Sequence, residues 1–347
     1  MIKLGLDAII ISDSGEDSLS GTNPLRLKLD GMPASIQVVL NYLEHQGRIV
    51  LPIEGDGIMS WSSAPKLNGI YLLSYLTKHR FDVELINSYY EERDNFCSLL
   101  QHTPRAVIIS TTFIHSKQAL RKLIDDIRSL APDISVIVGG PFIYLSYLTL
   151  QKSHEQHYET ESAKDDFLFL NNNNEPSVDL YIISLRGEQI LCDALKRIKQ
   201  NRQIDSLPNS ARLVGKTYFF TKQIDDISNA GDVFIDWKSL PDTIFKSGVV
   251  PMQASNGCPY RCAFCNFTKD RRLMFLKPID QLIAELKAVS SRGTRYVWFT
   301  DDNLRLGSGN LKSVCQRFVD EDLQIHWMSF ILAYEGQLHQ FHQGIQK

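Results

Sequence analysis

Three cysteines fall within eight residues, Cys258, Cys262 and Cys265, in the run Ser255-Asn256-Gly257-Cys258-Pro259-Tyr260-Arg261-Cys262-Ala263-Phe264-Cys265-Asn266-Phe267. Thiolates spaced C-x3-C-x2-C can wrap a short loop around one corner of a cubane iron–sulfur cluster, each on a different iron. The fourth iron then lacks a protein ligand. An open iron of this kind can chelate a small molecule and pass it an electron. Gly257 and Pro259 suit the tight turn that such wrapping needs. Structural zinc is the competing use of such cysteines, but it wants four ligands in paired spacing, and no fourth Cys or His lies near the loop. The other three cysteines, Cys97, Cys192 and Cys315, stand apart and read as core or surface thiols.

The elements that must position this loop show in the hydrophobic pattern. Residues 249–254 read as a strand feeding directly into it. A helix (279–290), a strand (296–300), a helix (311–319) and a strand (325–330) follow. Strand–helix repetition of this kind implies a parallel sheet, here the start of a (β/α) barrel, whose functional edge is the C-terminal end of its strands. Upstream, apolar runs at 48–53, 83–86, 106–109, 134–138 and 180–184 alternate with helical spacing at 68–79, 118–130 and 187–199. Five such units predict a doubly wound, Rossmann-like (flavodoxin-like) α/β domain. The expected organisation is therefore an N-terminal extension (1–47), a Rossmann-like domain (48–200), a polar linker (201–248) with one apolar pair of strands at most (212–220), and a partial barrel (249–347). An irregular insert at about 151–177, with four consecutive asparagines, reads as a surface loop.

Bulk properties exclude some functions. The 347 residues carry 37 basic and 40 acidic side chains, so no electrostatic footprint for nucleic acid or an anionic membrane appears. No apolar run approaches the roughly 20 residues of a membrane span. Six cysteines in so long a chain do not make a disulfide framework, and a cytoplasmic location is expected.

The segment CPYRCAFCNF resembles the cluster motif of the radical S-adenosylmethionine (SAM) enzymes, including the aromatic Phe264 before the last cysteine. Gln253-Ala254-Ser255-Asn256-Gly257 and Arg271-Arg272 are similar to the subgroup with an N-terminal cobalamin-binding domain. The resemblance implies a [4Fe–4S] cluster on Cys258, Cys262 and Cys265, with S-adenosylmethionine on the open iron and the Phe264 backbone near its adenine. One electron would release a 5′-deoxyadenosyl radical, and methyl transfer to an unactivated centre is the implied outcome. Asp301, Asp302 and Asn303, after the second barrel strand, match the position where the family holds the methionine amine; a solvated turn is the alternative. Ser110, Thr111 and Thr112 with Gly139 and Gly140 match strand edges that receive the cobalamin tail in the family, although they also suit plain turns. Arg186-Gly187-Glu188 resembles the family's Gly-Glu turn into the last helix of that domain. A small-molecule or peptide substrate and an electron donor such as flavodoxin or ferredoxin would be the partners.

Two departures qualify the match. The D-x-H-x-x-G motif that brings histidine to cobalt is absent; His45, His79, His102 and His115 lack its context. Any cobalamin bound would then have no histidine from that motif. The sequence also stops after three barrel strands, so the chain is expected to be truncated within the barrel and inactive as it stands.

Overall fold

The computed structural model describes residues 5–15, 28–29, 32–33, 42, 46, 64–155, 161–171, 175–224, 234–258, 275–304 and 311–329. The chain divides into two units, Met1–Ser228 and Asn229–Lys347.

The first unit is built on β1 (Ala8–Ile11), α1 (Leu67–Lys78), β2 (Val83–Ile86), α2 (Arg93–Leu100), β3 (Ala106–Ser110), α3 (Lys117–Leu130), β4 (Ser135–Gly139), α4 (Pro141–Ser153), β5 (Leu180–Ile182) and α5 (Glu188–Lys199). A hairpin, β6 (Ser210–Val214) and β7 (Thr217–Phe220), closes it. The sheet runs β2-β1-β3-β4-β5-β6-β7, parallel through β5 and antiparallel beyond. This is the flavodoxin-like order, which reverses direction between β1 and β3. Buried Ile9, Ile11, Val107, Ile109, Val136 and Val138 form the core with Leu120, Leu123, Ile124 and Ile127 of α3. That helix starts where its sequence says it should: the Ser116 hydroxyl accepts the Ala119 N–H at 3.1 Å, a standard N-cap.

Two expectations need correcting. The central strand comes from residues 8–11, inside the stretch expected to be an extension, while residues 48–53 lie outside the described residues. Ala8-Ile9-Ile10-Ile11 is buried on both faces, as a central parallel strand must be, yet four apolar residues carry too little period to announce a strand. Nor is 201–248 a linker. Its hairpin extends the first sheet, and Trp237, Leu240, Ile244 and Phe245 are buried in the second unit.

The second unit holds β8 (Val249–Met252), a two-stranded ribbon of β9 (Ser255–Asn256) with β10 (Phe275–Leu276), α6 (Ile279–Ser290), β11 (Tyr296–Phe299), α7 (Leu311–Asp320) and β12 (His326–Ser329). Strands β8, β11 and β12 form a parallel sheet in chain order, in register Val249↔Tyr296 and Tyr296↔His326. The ribbon pairs Ser255 with Leu276 and Asn256 with Phe275, so both ends of the cysteine loop are tied at one base. Leu282, Ile283, Leu286 and Val289 of α6 are buried in this unit. Glu285 is buried too, satisfied by Lys277 Nζ at 2.8 Å, Trp237 Nε1 at 2.9 Å and Gln281 Nε2 at 3.2 Å. Arg292 lies over the Phe245 ring at 4.4 Å and donates to the carbonyls of Lys238 and Leu240.

Candidate functional site

In the second unit the parallel register places the exits of β8 and β11 side by side. Thr300, the first residue past β11, donates its N–H to the Met252 carbonyl at 2.9 Å. Beyond Met252 the chain runs through Ala254, Ser255 and Asn256 to Gly257, whose φ of +77° is a backbone state that favours glycine. Cys258 follows, half-buried. Cys262, Phe264 and Cys265 lie outside the described residues, as does Arg271-Arg272.

The three polar residues after β11 gather around this exit. Asp301 is 1% exposed. Its Oδ2 accepts the Ala254 N–H at 3.1 Å, and its Oδ1 accepts the Ser255 hydroxyl at 2.6 Å and the Ser255 N–H. Burial pushes the Asp301 carboxyl above the usual range; the Ser255 and Ala254 donors and the charge of Lys277 oppose that. Burial raises the Asp302 carboxyl as well, with the nearby Gly257 N–H opposing. The Asn303 amide Nδ2 stands 4.0 Å from Cys258 Sγ. Cys258 and the Asp301-Asp302-Asn303 run are thus brought together at one strand edge. The parts played by Ser255 and Lys277 carried no sequence signal, because each depends on what the fold sets opposite them.

In the first unit the C-terminal edge at the β1/β3 reversal is the usual ligand crevice of such sheets. Asn68, near the start of α1, spans it: its Nδ2 reaches the Ser12 carbonyl and Ser110 Oγ, each at 2.9 Å. Ser110 Oγ lies 3.3 Å from Thr112 Oγ1. Thr111, fully buried, is already committed: its N–H and hydroxyl both donate to the Gly139 carbonyl, at 2.8 and 2.9 Å. Gly140 has φ +108°, and a Cβ there would sit 3.0 Å from Thr111 N and Oγ1. Burial raises the Asp13 carboxyl and lowers the Lys66 amine at this edge, and Lys66 lies 5.5 Å from the Phe113 ring centroid. Three buried polar atoms, Ser12 Oγ, Asn68 Oδ1 and Ser88 Oγ, have no partner among the described residues. Orphans of this kind fit a polar ligand at the edge. Neither Asn68 nor Ser88 was foreseen, since single polar residues at element ends look like caps. Gly187, by contrast, is structural: a Cβ there would lie 2.4 Å from Ile182 Cγ2, so the α5 start needs glycine to sit close on β5.

Among the described residues no helix is long and apolar enough to cross a membrane. No group of three or more His, Cys, Asp or Glu among them could hold a metal ion.

Residues 252–321 match the sequence model of the Radical SAM superfamily. Two curated relatives are ribosomal protein uS12 methylthiotransferases RimO. The Chloroherpeton thalassium protein is 29% identical over 89 residues, 24% of this chain and 20% of the relative. That of a Synechococcus species is 27% identical over 122 residues, 32% of this chain and 25% of the relative. Among solved structures, the fold is similar to the radical S-adenosylmethionine methyltransferase TsrM of Kitasatospora setae. The form with tryptophan substrate and a SAM analogue bound matches at TM-score 0.51 and 15% identity, over 90% of this chain. The form with cobalamin and a [4Fe-4S] cluster bound matches at TM-score 0.52 and 14% identity, over 91%. The chain spans about half the length of the TsrM chains, 51% in both. The matched family segment begins at the end of β8 and contains all three loop cysteines, so this region is similar to the Radical SAM superfamily, and a doubly wound α/β unit precedes it in the sequence.

Proposed function

We propose that this chain is a cobalamin-dependent radical SAM enzyme that transfers a methyl group to an unactivated centre. The observation that carries the reading is the pairing of two units in one chain. One is a C-x3-C-x2-C loop at a parallel strand exit; the other is a flavodoxin-order sheet whose reversal point holds unpartnered buried polar atoms. Cys258, Cys262 and Cys265 would hold the [4Fe–4S] cluster, which when bound supplies one-electron reductive cleavage of S-adenosylmethionine. Asn303, beside Cys258, Asp302 and the Phe264 backbone would serve the S-adenosylmethionine side of the site. Ser12, Asn68 and Ser88, with Ser110, Thr112 and the Gly139-Gly140 backbone, would line the cobalamin edge, with no histidine on cobalt. Substrate would be a small molecule or peptide, and a flavodoxin or ferredoxin the electron donor. The TsrM forms with cobalamin and with a SAM analogue bound, and the methylthiotransferase relatives, support this reading.

A second reading keeps the cluster chemistry and uses the first unit as a scaffold, giving cyclisation, rearrangement or oxidation. Its support is Thr111, whose hydroxyl is spent on Gly139. Anaerobic reconstitution followed by hydroxocobalamin titration separates the two. The proposal expects iron and sulfide lost in Cys258→Ala, Cys262→Ala and Cys265→Ala but kept in Cys97→Ala and Cys315→Ala, and cobalamin bound without a histidine-ligated spectrum. Zinc without sulfide would refute the cluster; iron and sulfide without cobalamin would leave the second reading.

A further inference from the structure

We infer that Asp301 is a positioning residue, which anchors the backbone delivering Cys258 and does not itself bind S-adenosylmethionine. The inference rests on reading the cysteine loop as a cluster site. At the end of β8 the main chain leaves its sheet, and the N–H groups of Ala254 and Ser255 need new acceptors. Asp301, at the exit of the neighbouring strand, supplies both, Oδ2 to Ala254 at 3.1 Å and Oδ1 to Ser255, whose hydroxyl joins at 2.6 Å. The Asp301 carboxylate, just past β11, thus clasps residues 254 and 255, three residues before Cys258.

The opposite side of the same base is held separately. Lys277 N–H donates to the Ala254 carbonyl at 2.9 Å, and β9 pairs with β10. With 1% exposure and three donors on two oxygens, Asp301 has little left to offer a ligand ammonium. Asn303, whose amide is 4.0 Å from Cys258 Sγ, holds the position from which a side chain reaches the cluster side of the edge. Division of labour follows within one tripeptide: Asp301 fixes the frame, and Asn303 stands beside the cysteine.

The two roles differ in what happens before any S-adenosylmethionine is added. A ligand to the ammonium group is irrelevant to the cluster alone, whereas an anchor shapes it. The test uses the full chain, reconstituted anaerobically with iron and sulfide, as wild type, Asp301→Asn, Ser255→Ala and Cys315→Ala. Iron and sulfide per chain, the rate of iron loss to a chelator, and the electron paramagnetic resonance (EPR) spectrum of the reduced cluster are all measured without S-adenosylmethionine. Asparagine turns an N–H donor toward Ala254 and so breaks the clasp. Asp301→Asn is expected to lose iron about fivefold faster than wild type, the factor that one net hydrogen bond carries, with an altered EPR spectrum. Ser255→Ala removes only the hydroxyl and should fall between, while Cys315→Ala should match wild type. Wild-type iron loss and spectra in both Asp301→Asn and Ser255→Ala would overturn the inference, all the more if Asp301→Asn only weakened S-adenosylmethionine binding. Should Asp301→Asn fail to fold by circular dichroism, Ser255→Ala decides alone. Wild-type protein that takes up no iron and sulfide would instead sink the cluster reading itself.

Discussion

Lys117→Met should destabilise the first unit severely, and more at neutral than at acid pH. Lys117 is the first residue of α3, where the helix dipole disfavours a cation. Its amine is nevertheless buried, with the side chain 5% exposed, and forms an ion pair with Glu175, 2% exposed. Lys117 also donates to Asn171 Oδ1 at 2.9 Å, and the Tyr218 hydroxyl donates to Glu175. The pair therefore ties Asn171 and Glu175 to α3, and Glu175 also to β7. Removing one member of a buried pair strands the other, at a typical cost of 3–5 kcal/mol. Tyr218 remains to Glu175, so the lower end, about 3 kcal/mol, applies. That corresponds to roughly a hundredfold loss of amide protection in β3 and β4.

The pH arm has a definite sign. Burial already raises the Glu175 carboxyl above its ordinary 4.5, with Lys117 and Tyr218 opposing. Losing Lys117 raises it further. Above 4.5, up to that raised value, the folded variant keeps a proton the unfolded chain has released, so its stability falls as pH rises. The deficit should be smaller at pH 5 than at pH 8, and Lys117→Met/Glu175→Gln should recover part of it. Hydrogen exchange of the full chain at the two pH values is the assay. A loss below about 1 kcal/mol, or one independent of pH, would refute the argument.

Two further outcomes are expected. Burial pushes the Cys192 thiol, fully buried on α5, up to about 12 from 9.0, so its thiolate fraction is lower by about a thousandfold. Iodoacetamide at pH 8 should label Cys192 far more slowly in the native chain than in urea, read by mass spectrometry; equal rates would contradict its burial. Gly140→Ala forces a side chain into φ +108° and against Thr111 at 3.0 Å, which should cost about 1–3 kcal/mol and lower the thermal midpoint. An unchanged midpoint would show that this turn relaxes freely.

How far the sequence could be read depended on whether a signal was local. Helix α3 announces itself through Leu120, Leu123, Ile124 and Ile127 and a Ser cap, and β2, β3, β4 and β5 are apolar runs set between such helices. The same alternation located β8, α6, β11, α7 and β12 within a residue or two. Strand β1 was missed because four apolar residues near the start look like any apolar patch; only two partner strands make it central. Residues 201–248 looked like a linker because they are mostly polar: their one apolar pair of strands was visible, but not the sheet it joins, and the buried Trp237 gave no sign. Asp301 was visible as an acid at a strand end. What it touches was not, since Ala254 and Ser255 come opposite it only through the β8–β11 register. The Ser110–Thr112 run behaved similarly: one residue stands beside Asn68, and another is consumed by Gly139.

The placement of β1 bears on biosynthesis. Ala8 pairs with Val83 on one side and Ala106 on the other, so the second neighbour of β1 arrives roughly a hundred residues after it, about 5–20 s at ordinary rates of synthesis. Until Val83–Ile86 is made, Ile9, Ile10 and Ile11 have neither edge paired, and until Ala106 only one, a short β-prone segment of the kind that associates with other chains. The parallel pairings that rescue it are non-local and intrinsically slow. Yield of folded protein should therefore depend on how long the nascent β1 segment is shielded, which makes a holdase chaperone or slower, cooler expression more useful here than added stability in the finished sheet.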